Sequence, residues 1–219
     1  MPMLKHWWKI LSFMLLLFTV IAGFLKKIPW FGQNAETTRN VFFHVPMWFG
    51  MMILYTVSVV FSLLYLRSLK LKYDYYASAF AHAGTIFGIL GLITGMVWAR
   101  TAWGHYWQND PKQVGAALTV LMYLAYFVLR RSVTDGDKRG RITSVYNVFS
   151  YFMMFPAIYI IPGLMTSAHP GGQGDEPLMV FKMDPSLRLI FYPAVIGWVL
   201  LGVWMASLRA RYLQLNDQV

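Results

Sequence analysis

The chain has 219 residues, of which 58% are hydrophobic and only 13% charged, against roughly 45–50% and about 25% in soluble globular domains. So few charges cannot cover a soluble fold of this size, which excludes a water-soluble enzyme or binding domain and implies an integral membrane protein. The formal charge is +10 with no cysteine; thiolate chemistry and disulfides are therefore excluded, and basic runs beside apolar segments point to membrane topology and not to nucleic acid.

Six apolar stretches approach the ~20 helical residues that cross a bilayer core. The first runs from Trp7 to Leu25. Lys5 and Lys9 precede and open it, but "FTVIAGFLKKIPW" lacks a small-residue cleavage site, so an uncleaved span is expected and not a signal peptide. The second runs from Val41 to Leu66 and begins near "FFHVP". The third, Tyr76 to Trp98, carries His82 about two turns inside it. The fourth spans Val114 to Leu129, the fifth Thr143 to Met165 with Pro156 and Pro162 interrupting it, and the sixth Leu189 to Leu208. The expected fold is all-α: one polytopic membrane domain over residues 1–219, with six transmembrane helices and no internal repeat.

Loop charges orient it. With the N-terminus inside, twelve of the 19 Lys and Arg residues fall on the cytoplasmic side and seven on the other. Both termini are then cytoplasmic, and three outer loops follow at about Lys26–Asn40, Ala99–Gln113 and Thr166–Arg188. In the second, "WGHYWQNDP", Asp110 is a natural N-cap with Pro111 at the first helical position. The third is the longest, rich in Gly and Pro, and a natural place for function.

Five histidines occur. His6 sits near the cytoplasmic terminus, as a snorkelling interfacial residue does. His82 is intramembrane, where an imidazole is expensive and marks either function or a bond to a neighbouring helix. His44, His105 and His169 all fall on the outer side. An aromatic belt at headgroup depth explains Trp7, Trp8, Trp30, Trp48 and Trp198. It explains less well a short loop in which Trp98, Trp103, Tyr106 and Trp107 alternate with Gly104, Gln108, Asn109 and Asp110. Rings of this density suit a flat apolar ligand such as a porphyrin. Two of the outer imidazoles can supply axial nitrogens to iron, and Arg100, Lys112 or Arg39 can meet propionates. A three-histidine zinc site is the rival metal reading, but no HExxH-type spacing occurs and the tryptophans would then have no role.

"VWARTAWGHYWQNDPKQV" resembles the tryptophan-rich WWD signature, approximately W-G-x-x-W-x-W-D, of the CcmC/CcsA family of cytochrome c assembly proteins. Trp103, Gly104, Trp107 and Asp110 match it, with Gly95, Val97 and Trp98 upstream; "DPKQ" is similar to the "DPKE" of the CcsA branch, while the chain's size is nearer CcmC. "FHVP" at Phe43–Pro46 looks like the family's first histidine motif, and His169 stands where a second is expected. The likeness covers about Val41 to Pro170. One departure is Asn109, where the family usually has a third motif tryptophan.

The resemblance implies a haem-binding, haem-delivering membrane protein of c-type cytochrome biogenesis in the bacterial inner membrane, with its functional loops periplasmic. His44 and His169 would be axial ligands to haem b. Trp98, Trp103, Tyr106, Trp107, Asp110 and Arg100 would complete the site. Implied partners are a haem chaperone or apocytochrome c and other maturation subunits, including an ABC-type or ResB-like membrane component. Holding and transfer are expected, with no turnover by this chain alone. Two alternatives remain open at this level. A b-type electron-transfer subunit would need intramembrane ligands, and a transporter would need paired broken helices.

Overall fold

The computed structural model describes residues 6–28, 32–169 and 183–216. Trp30, Lys5 and Lys182, together with residues 170–182 of the third outer loop, lie outside the described residues.

Among the described residues seven α-helices follow one another: α1 (Trp7–Leu25), α2 (His44–Ser68), α3 (Leu71–Trp103), α4 (Pro111–Ser132), α5 (Gly136–Phe155), the four-residue α6 (Ile161–Leu164) and α7 (Pro185–Asn216). A 3₁₀ segment, Gly32–Phe42, leads into α2, and one π-turn, Pro156–Ile160, joins α5 to α6. Six of the resulting segments are long and apolar enough to cross a membrane, and no strand occurs among the described residues. Lipid dictates this: with no water to satisfy amides and carbonyls, each span must close its own backbone hydrogen bonds. The chain is an all-α, multi-pass membrane protein.

Two helices exceed their expected bounds by ten residues or more. Helix α3 has 33 residues and α7 has 32, so each reaches ~50 Å at 1.5 Å per residue, well beyond a ~30 Å hydrocarbon core. The fifth span is broken where its prolines fall. Pro156 brings no amide to the helical ladder, and the backbone widens there into the π-turn.

Helices α2 and α3 form the central pair, α7 packs on both, and α1 covers α7. On the other flank α5 lies against α2, and α4 packs on α5, the π-turn and α3. Gly115 permits the last approach: a Cβ there would collide with the Ala157 carbonyl oxygen. In the core the Tyr55 and Tyr123 rings stack at 3.5 Å, and the Tyr55 hydroxyl meets Thr85 at 3.1 Å. Asn147 of α5 donates to both Ser58 and Ser62 of α2 at 2.8 Å.

The bundle has two unlike ends. Among the described residues, three connecting stretches, 26–28 with 32–43, 104–110, and 165–169 with 183–184, share one end. The other end holds two short turns and both ends of the described chain, where the Lys9 ammonium lies 5.2 Å from the Trp204 ring. Near those turns Asp74 of α3, 1% exposed, pairs with Arg130 of α4 through both guanidinium nitrogens, and Arg130 also donates to Thr143. A buried charge needs such a partner.

Candidate functional site

The site lies at the end with three connections and is built on one face of α3. Phe42, fully buried, packs with Leu187, Ile190 and Phe191, and Arg39 donates to the carbonyls of Gly23 and Lys26, each at 2.7 Å. These contacts pin the 3₁₀ segment and so fix where α2 begins. His44 is its first residue, with Pro46 in the first turn, where a missing amide costs nothing.

The His44 ring packs against α3 at Thr94 and Gly95. Its Nδ1 is 3.0 Å from Thr94 Oγ1, and Thr94 Oγ1 itself donates to Leu90 O at 2.9 Å. Thr94 Oγ1 also reaches Gly91 O at 3.1 Å; with its proton given to either carbonyl, Thr94 accepts from His44 Nδ1, the tautomer that leaves the Nε2 lone pair for a ligand. Gly95 makes room, since a Cβ there would come within 2.8 Å of His44 Cε1. Trp48, one turn along α2, stands edge-on at 6.1 Å and is itself seated over Gly91.

Trp98 follows Thr94 by one turn on the same face. His169 is found there, 5.8 Å from the Trp98 ring and 6.2 Å from the Trp103 ring, which meet each other edge-to-face at 5.1 Å. His44 and His169 therefore meet α3 at two residues one turn apart, Thr94 and Trp98.

What holds His169 there is Asp110. It is 7% exposed and caps α4 as expected, accepting from the Lys112 amide at 2.9 Å. Its other oxygen accepts from the Ser167 hydroxyl at 2.8 Å and the Ala168 amide at 2.9 Å. Ser167 Oγ then accepts from the His169 amide at 3.1 Å. One carboxylate thus ties the loop after α6 to the start of α4.

The remaining predicted residues lie farther out. Helix α3 continues through Trp103, so the loop proper is only residues 104–110, closed by Gly104 at φ +86°. Arg100, in the last turn, donates to Gly104 O and stands 5.9 Å over the Tyr106 ring. Tyr106 and Trp107 are 55% and 39% exposed, and His105 is exposed beside them. Asn109 adopts a left-handed backbone, φ +56°, and accepts from the Trp107 indole at 2.6 Å. Asparagine tolerates that conformation far better than tryptophan, which gives the departure from the motif a local reason. At the same end Asp184 precedes Pro185 of α7, the Asp-Pro pair seen before α4. Hydrogen bonds from the Ser186 hydroxyl and amide hold its exposed carboxyl below the ordinary value, with Lys26 and Arg188 adding to the effect.

The sequence reading missed Thr94 and Ser167, and it named Gly95 only as a motif match and Trp48 only as a belt residue. Thr94 and Gly95 sit in "GLITGMVW", where two glycines in an apolar run were the available sign of a close approach. His82 lies elsewhere, toward the opposite end. It borders a groove in whose lining no second histidine occurs among the described residues.

Comparison with known proteins gives a consistent picture. The family model described as "CcmC: Heme exporter protein C" matches residues 2–218. "Heme exporter protein C" of Paracoccus denitrificans is 26% identical over 183 residues, 82% of this chain and 74% of that protein. Its counterpart in Bradyrhizobium diazoefficiens is 34% identical over 116 residues, 52% and 43% of the two chains. "Cytochrome c biogenesis protein CcsA" of Pelargonium hortorum is 33% identical over 95 residues, 42% and 30%.

Proposed function

We propose, from the premise that the chain belongs to the haem exporter protein C family, that it binds haem between His44 and His169 and passes it on during c-type cytochrome biogenesis. One observation carries this reading: His44 and His169 meet α3 one turn apart, at Thr94 and Trp98, with Trp103 beside His169.

The residues present fit such a cargo. His44 offers Nε2 while Thr94 fixes its other nitrogen, as ligating histidines are commonly oriented. His169 offers a second imidazole on a strap that Asp110 tethers without burying it. Trp98 and Trp103 supply apolar walls for a flat ring. Tyr106 and Trp107, more exposed, form the rim, and Arg100 holds that rim in shape through Gly104 and Tyr106. Held by His44 and His169, the haem would present its edge to a partner. Haem b is the form that arrives with free vinyl groups.

The chain works as one six-span domain, with both functional loops on the periplasmic side of the bacterial inner membrane and both termini in the cytoplasm. The excess of Lys and Arg at the end that holds the termini supports this orientation. The receiving partner is a haem chaperone or an apocytochrome, and energy enters through another maturation subunit. The chain's own part is holding and transfer.

The test is an absorption spectrum of detergent-purified protein, wild type beside His44→Ala and His169→Ala. A low-spin bis-histidine spectrum in the wild type, lost or turned high-spin in each variant, is the expected result. Haem absent from wild type under haem-replete expression, or retained unchanged in both variants, overturns the ligand pair.

A further inference from the structure

A groove of about 800 Å³ opens at the opposite end of the bundle, between α3, α4, the start of α5 and the end of α7. Its upper wall is aliphatic, and Ile89, Leu124 and Val128 are 38%, 41% and 69% exposed toward the surrounding bilayer. Its mouth is cationic. Arg131, Arg139 and Arg209 line it, and no acidic residue does.

The charges there are not balanced by the protein. Arg130 is satisfied by Asp74, and Lys138 by Asp135. Arg139 has no carboxylate partner among the described residues, and its Nε is buried without a hydrogen-bond acceptor. It sits at the start of α5, where Asp135 already caps the helix and Asp137 lies in the first turn. Arg209 lines the groove from α7, its guanidinium 5.5 Å over the Tyr212 ring. The buried Arg139 Nε without an acceptor, among arginines with no carboxylate in the groove lining, calls for an anion.

We propose that this groove is a binding site for an anionic phospholipid of the surrounding bilayer. The phosphate sits against Arg139 and Arg209, and an acyl chain lies along Ile89, Leu124 and Val128. Charge complementarity selects the headgroup. The aliphatic side chains Ile89, Leu124 and Val128, exposed along the groove, suit an acyl chain. Seated there, the lipid ties α3, α4, α5 and α7 together at the end remote from the histidine pair.

Native mass spectrometry of the full-length protein in detergent tests this, with phosphatidylglycerol, phosphatidylcholine of the same chains, and inorganic phosphate as separate probes. The wild type is expected to retain one phosphatidylglycerol in preference to phosphatidylcholine. Arg139→Gln with Arg209→Gln should lower that retention by about tenfold or more. Val128→Trp, which keeps every charge, should weaken lipid binding while leaving any phosphate adduct unchanged, and it serves if the double variant fails to fold. Equal retention of the two lipids, or no loss in either variant, overturns the proposal. So does inorganic phosphate displacing the lipid at equal concentration, which would make this a simple anion site. Loss of one equivalent of haem from His82→Ala would likewise overturn it, in favour of haem as the occupant.

Discussion

Replacing Asp110 by asparagine separates two tasks that one carboxylate performs. Oδ1 accepts from the Lys112 amide and caps α4, while Oδ2 accepts from the Ser167 hydroxyl and the Ala168 amide. The asparagine carbonyl can still cap α4. Its amide nitrogen, standing where Oδ2 was, then confronts two donors. The Ser167 hydroxyl can turn and accept, but the Ala168 amide cannot. Leaving one such donor unsatisfied costs ~1–3 kcal/mol, or about 5- to 150-fold in the equilibrium for opening the strap, at ~1.4 kcal/mol per decade. Hydrogen exchange resolved along the chain reads this directly, since exchange through local opening scales with that equilibrium. Amides at Ala168 and His169 should exchange faster by that factor, while those in the first turn of α4 change little. The haem spectrum should shift toward that of His169→Ala as the strap loosens. Unchanged exchange at Ala168 would refute the tether. Faster exchange with an unaltered spectrum would refute the claim that the tether positions His169.

Gly95→Ala brings a Cβ to 2.8 Å from His44 Cε1 and so should turn the ring off Thr94. The lost bond costs ~1 kcal/mol and the gain in helix propensity returns about as much; haem binding should fall while the melting temperature stays nearly constant, checked by haem titration beside thermal unfolding. Asp74→Asn strips Arg130 of its counter-charge and should destabilise the protein by ~3–5 kcal/mol, whereas Asp74→Leu with Arg130→Met should recover most of that in denaturant unfolding. The Asp184 carboxyl is held below its ordinary 3.8 by Ser186, Lys26 and Arg188. A depressed carboxyl stabilises above its unfolded pKa and loses that contribution as pH falls through the folded one. The first turn of α7 should therefore fray below about pH 4, seen as faster exchange at the Ser186 amide, and Asp184→Asn should abolish that dependence.

The spans were legible because lipid imposes a single local rule, and a run of apolar residues obeys it wherever the chain goes. The cap at Asp110 was legible for the same reason: Asp followed by Pro acts within one turn. The long reach of α3 was not, because "ARTAW" reads as polar loop. In the structure Arg100 belongs to the last helical turn, where a cation suits the dipole and can bond the final carbonyls, here Gly104 O. Nothing local singles out Asp74, because its partner Arg130 lies 56 residues away. The site divides along this line. Trp98, Trp103 and the histidines could be named from residue type and company. Their juxtaposition depends on His44 meeting Thr94 across 50 residues and Asp110 meeting Ser167 across 57, and no short-range pattern encodes such registers. It follows that the residues most informative about haem handling in this chain are the ones that position the histidines. Thr94, Gly95 and Asp110 can be altered while both imidazoles stay, so they test whether two histidines suffice or whether their placement on one face of α3 is what the haem reads.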